Sequence, residues 1–145
     1  MNNQVRSDGG HRTTFAAGGG VIVEGWAPSR GGCLEELVRG FVGTLADTSN
    51  AVGVCELPVE LGASCDDDVV CVLLDDIRSL LDVDELVVVD VALTEGHHDR
   101  FGGTFFVAPA ENVVRAGAGA HSISSSSFQP ASDGTLWHGR IHIND

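Results

Sequence analysis

The stretch VIVEGWAPSRGGCLEELVRGFVGTLAD, residues 21–47, constrains the fold more than any other part of the chain. Val21–Trp26 is a short run of β-branched and aromatic residues, which reads as a strand, and the Ala27-Pro28-Ser29 turn stops it. After Gly31 and Gly32, the residues Leu34, Leu37, Val38, Phe41, Val42 and Leu45 recur at the i, i+3, i+4, i+7 spacing of one helical face. A helix with such a stripe must lie on an apolar surface, so a strand followed at once by this helix predicts a helix packed on a sheet.

The rest of the chain supplies that sheet. VGVCELPVEL alternates apolar residues with Pro58 inside the run, which predicts an edge strand because proline cannot donate to a ladder. Ser64 followed by Asp66, Asp67 and Asp68 marks a second helix start, with the carboxylates near the positive end of the helix dipole. Its apolar face is Val70, Leu73, Leu74, Ile77, Leu80 and Leu81. ELVVVDVALTEG reads as a strand buried on both faces in its first half, which turns at Gly96-His97-His98-Asp99 into an antiparallel partner, RFGGTFFVAP. HSISSSSF fits either a strand or a loop, and TLWHGRIHI alternates as a half-solvated strand. The order predicts an α+β fold of two layers, a mixed or antiparallel sheet with two helices packed on one face. At 145 residues the chain is one ordinary domain, with a polar, Gly-rich flexible arm over residues 1–18 and the domain over 19–145.

Charge excludes some functions. With 21 acidic residues against 8 basic ones, all Arg, the net charge is −13, which repels phosphate backbones. No basic stripe with interleaved aromatics appears, so direct nucleic-acid binding is disfavoured and any link to RNA runs through a partner protein. The N-terminus has no signal-peptide pattern and no apolar stretch approaches about 18 residues, so the chain reads as soluble and cytoplasmic, without a membrane partner. Cys33, Cys55, Cys65 and Cys71 form no C-x-x-C and read as reduced, isolated thiols.

Few residues point to chemistry. Asp66, Asp67 and Asp68 fan out by about 100° each on a helix and serve better as caps than as metal ligands. Asp75 and Asp82, seven apart with Asp76 beside them, are the better acidic set, although a solvated helix flank explains them equally well. His97-His98-Asp99 and the pair His138 and His142 could bind a transition metal, but turn-solvated and strand-solvated side chains are the simpler account. The serines Ser122 and Ser124–Ser127 lack a G-x-S-x-G elbow, and no phosphate loop exists. The residues give no independent argument for a catalytic centre.

The Trp-Ala-Pro-Ser turn leading into a helix that opens with Glu35-Glu36 resembles the first βα unit of the archease proteins, metal-binding activators of the RNA ligase that joins tRNA exons. LLDDIRSLLD, residues 73–82, matches the acidic pair and third acidic residue of that family's second helix with Asp75, Asp76 and Asp82. The resemblance runs from about Val21 to the last residue and implies the same α+β architecture. It also implies where metal ligands would fall. The family's His-Thr-Ala-Asp motif, whose Asp is a ligand, corresponds to Ala17-Gly18-Gly19-Gly20, which puts Gly20 in the ligand's place. In the family's Lys-Ala-Val-x-x-His motif, His121 replaces the Lys and Ser126 the His. Asn144 stands where the second ligand Asp ends the last strand, followed by Asp145. A shift of one residue would make Asp145 the ligand, but strand alternation puts Asp145 on the side of Trp137 and Ile143.

A hard divalent cation such as calcium, the one cofactor the resemblance implies, is held mainly by charged oxygens. Gly20 has no side chain and Asn144 only a neutral carbonyl, so weak or absent metal binding is expected. If a site survives, Asp75, Asp76, Asp82, Asn144 and Asp145 are its candidates, with His121 near them. The expected function is that of a non-enzymatic activator of a GTP-dependent RNA ligase in tRNA splicing or RNA repair, its metal-dependent part weakened or lost. The alternative is a protein-binding scaffold that reuses the fold. A hydrolase built on His97, His98 or the serines has the least support.

Overall fold

The computed structural model describes residues 9–49, 51–61, 66–95, 101–115, 122–130 and 136–144. The elements are β1 (Gly10–Phe15), β2 (Val21–Ala27), α1 (Arg30–Leu45), β3 (Ala46–Asp47), β4 (Cys55–Leu61), α2 (Asp66–Asp84) and β5 (Leu86–Glu95). They continue with β6 (Phe101–Pro109), a 3-10 turn (Ala110–Asn112), β7 (Val114–Arg115), β8 (Ser122–Pro130) and β9 (Trp137–Asn144). The α+β class holds. The strands are divided between two main antiparallel sheets, one in the order β1-β2-β9-β8 and one in the order β4-β6-β5, with β3 and β7 forming a short separate ladder. Every pairing among the described residues is antiparallel.

The two helices join the sheets. Helix α1 packs on β1, β2 and β9 of the first sheet and on β5 of the second, while α2 packs on β4 and β5 of one and β8 of the other. Position between two sheets explains why α1 buries more than a single stripe: Gly31, Cys33 and Gly40 join the six periodic apolar residues in the interior. Gly40 allows the close approach, since a Cβ there would stand 2.5 Å from Val23 Cγ1. Ser29 starts the helix, its hydroxyl accepting from the Gly32 amide at 3.0 Å. Phe41, Phe105 and Phe128 are the largest buried side chains of the core, with Leu34, Leu37, Leu73, Leu74, Ile77 and Ile141 around them.

Pro58 lies on the outer strand of its sheet, as its lack of a donor requires. The β5–β6 hairpin forms with a bulge between Val88 and Asp90, and its expected turn at His97, His98 and Asp99 lies outside the described residues, as does Ser64. HSISSSSF resolves as strand β8.

The beginning of the chain differs from expectation. Within the span read as an arm over 1–18, residues 10–15 form an edge strand paired with β2 from Gly10 opposite Trp26 to Phe15 opposite Val21. The glycines read as the end of an arm make the hairpin turn instead. Gly19 (φ 104°) and Gly20 (φ 81°) take left-handed backbone open to glycine, and the Ala16 amide donates to the Gly20 carbonyl at 3.1 Å. Among the described residues, no helix is long and apolar enough to cross a membrane.

Candidate functional site

The β1–β2 turn lies at one end of the first sheet, and the last strand ends beside it. Val21 pairs with Ile143, so Gly20, which precedes β2, and Asn144, which ends β9, lie at the same end of that ladder. On the other side of β9, Asn144 pairs with Ser122 of β8. His142 holds the turn to the strand through Nε2, 3.2 Å from the Gly19 carbonyl. Gly20 is buried, and a Cβ on it would collide with the Ile143 carbonyl. The two positions at which the resemblance expects metal carboxylates therefore fall at one end of the first sheet, and neither carries a charge. Asn144 is exposed at the strand end.

The other expected residues are distributed around this end and away from it. Ser126 lies on β8 opposite Ile141, whereas His121 and Asp145 are outside the described residues. Asp75 and Asp82 are exposed on α2, on the shared outward face that their spacing predicts. Asp76 turns to a different flank and lines a groove between α2 and β4, with Leu57, Val59, Leu80 and Phe105. Partial burial there pushes its carboxyl above the ordinary range, and the neighbouring Asp75 charge adds to the rise. Among the described residues, no group of three or more His, Cys, Asp or Glu side chains could hold a metal ion. Among the described residues, the donors at the Gly20–Asn144 end are a neutral amide and backbone carbonyls, which do not fit a hard dication.

A second polar arrangement escaped the sequence reading. Arg39 of α1 donates from Nη1 to Glu36 and from Nε to Asp90 on β5, both at 2.9 Å. His11 of β1 sits with Nδ1 2.7 Å from the other Glu36 oxygen, and Glu35 accepts the Leu93 amide at 2.7 Å. The side chains of one helix turn thus tie β1 on one side and β5 on the other. Its only sequence signals are the adjacent acids Glu35 and Glu36, a turn into α1, and a lone acid, Asp90, in the apolar first half of β5. On the outer face of the first sheet, Arg12 donates to Glu24 at 2.9 Å, and His138 lies 3.3 Å from the same carboxylate. The Arg12 hydrogen bond holds Glu24 below the ordinary carboxylate range.

No protein-family model matches the chain. A Mycobacterium tuberculosis protein named "Probable protein archease", found alike in strains CDC 1551 and H37Rv, is 33% identical over 105 residues, covering 70% of this chain. The chain belongs to the archease family. It spans 56% of the length of those curated archeases, little more than half. The solution structure of Methanobacterium thermoautotrophicum protein 1598 superposes with a TM-score of 0.66, over 94% of this chain and 99% of that one. At 12% identity that likeness shows the fold alone.

Proposed function

We propose that this archease acts in the cytoplasm as a non-enzymatic activator of a GTP-dependent RNA ligase in tRNA splicing or RNA repair, with the metal-dependent part of that role weakened or lost. One observation supports the reading: Gly20, packed against the Ile143 carbonyl, and Asn144 lie at the same end of the β2–β9 ladder, and neither supplies a charged ligand where the resemblance expects one. Activation then rests on protein contact rather than on delivering a tightly held cation. Any compensating charge would come from Asp75, Asp82, Asp145 or the His121 side chain.

The test is single-turnover guanylylation of the RNA ligase from the same genome, with GTP and manganese, with and without this protein. A rate increase of tenfold or more, about 1.4 kcal/mol of barrier, supports the reading. No increase, with a second archease active in the same assay, refutes it.

A scaffold that has exchanged the ligase for another partner is the second reading. It is favoured by the left-handed, buried Gly20, which cannot take back a side chain without disturbing β9. Under it, the protein neither stimulates the ligase nor changes melting temperature with calcium.

A further inference from the structure

The groove between α2 and β4 lies on the second sheet, apart from the Gly20–Asn144 end. Its volume is about 330 Å³, at the lower end of the range for small-ligand sites. Leu57 and Val59 of β4 and Leu80 of α2 are only half-buried there, over a fully buried Phe105. The cause is a sparse seam, since α2 leans on β5 and β8 more than on β4. The walls are acidic: Glu60 rises on the strand side, and Asp76 on the helix side finds no hydrogen bond or ion pair among the described residues. An apolar floor beneath an uncompensated carboxylate is complementary to a side chain with a long aliphatic stem and a cationic head.

We propose that this groove docks an arginine-bearing segment of a partner protein, its stem lying over Leu57 and Leu80 and its guanidinium meeting Asp76. Strand addition is the wrong mode for this edge, because Pro58 in the middle of β4 removes a backbone donor and blunts it. Side-chain insertion remains, and arginine fits better than lysine because its planar fork can take both carboxylate oxygens. The chain's own excess of acid, a net charge of −13, favours a cationic partner over an acidic one and over a second copy of itself. The proposal goes beyond the ligase reading and stands whether or not that reading holds.

The test uses the full chain, labelled with nitrogen-15, titrated with a capped pentapeptide alternating leucine and arginine and with its leucine–glutamate counterpart. Saturable amide shifts confined to residues 57, 59, 60, 76–80 and 105, from the arginine peptide alone, are expected. Asp76→Asn should weaken that binding about tenfold, and Ser79→Arg, which supplies a tethered guanidinium at the groove mouth, should block it while the amide spectrum stays folded. Equal binding of the glutamate peptide, shifts elsewhere on the surface, or unchanged affinity in Asp76→Asn would overturn the proposal. So would a dimer in sedimentation that Ser79→Arg dissociates, since the occupant would then be a second copy of the chain.

Discussion

Placing a carboxylate where the resemblance expects one, by Gly20→Asp, should destabilise the fold. Gly20 holds φ at 81°, a conformation that costs an L-residue about 1–2 kcal/mol. It is also buried against β9, where a Cβ would run into the Ile143 carbonyl, so the turn or the strand end must move. Forcing atoms into packed space of this kind costs about 1–3 kcal/mol. Together these give roughly 3 kcal/mol, a large share of the 5–15 kcal/mol typical of a domain. With a urea m-value of about 2 kcal/mol/M, the unfolding midpoint should fall by about 1.5 M. Gly20→Ala should lose about as much, because the cost lies in the Cβ and the backbone angle. Asn144→Asp, at an exposed strand end, should shift stability by no more than about 0.5 kcal/mol. Urea unfolding followed by circular dichroism reads all three. A neutral Gly20→Ala beside a destabilised Gly20→Asp would refute the steric argument, since charge would then be the cause.

Three further outcomes follow from the same geometry. Ser29→Ala removes the cap of α1 and should cost about 1 kcal/mol in urea unfolding with an unchanged slope. Arg39→Met leaves Glu36 and Asp90 without their shared cation and should cost about 1–2 kcal/mol, seen as a lower melting temperature that added salt partly restores. The pH dependence has a definite sign at Glu24. The Arg12 hydrogen bond sets its folded pKa below the ordinary value of 4.5, so its contribution is present above pH 4.5 and lost as pH falls through the folded value. Arg12→Ala should therefore make the urea midpoint fall less steeply with pH below 4.5 than in the parent chain, and parallel curves would contradict the assignment.

Local patterns in the sequence determined a good deal about this protein. The 3.6-residue spacing from Leu34 to Leu45 and from Val70 to Leu81 specifies both helices, because one turn sets which side chains share a face. Pro58 marks an outer strand through a missing donor, and the alternation from Trp137 to Ile143 sorts β9 into a buried and a solvent side. The Trp-Ala-Pro-Ser turn and the acidic pattern of residues 73–82 carry the resemblance to the family. Tertiary structure alone decided how these pieces meet. An apolar stripe states that a face is covered without stating by what, so the position of α1 between two sheets, and the burial of its far side, could not be read from the stripe. Backbone ladders carry no side-chain label, so neither the pairing of β1 with β2 nor the division of the strands between two sheets is legible in the sequence. Glu36, Arg39 and Asp90 meet only because β5 crosses α1, 51 positions after Arg39 in the chain. Helix geometry parts adjacent Asp75 and Asp76 by about 100°, and only the packing of α2 beside β4 sets Asp76 at a groove. Gly20 and Asn144 lie at opposite ends of the sequence, and antiparallel pairing of β2 with β9 is what brings them together.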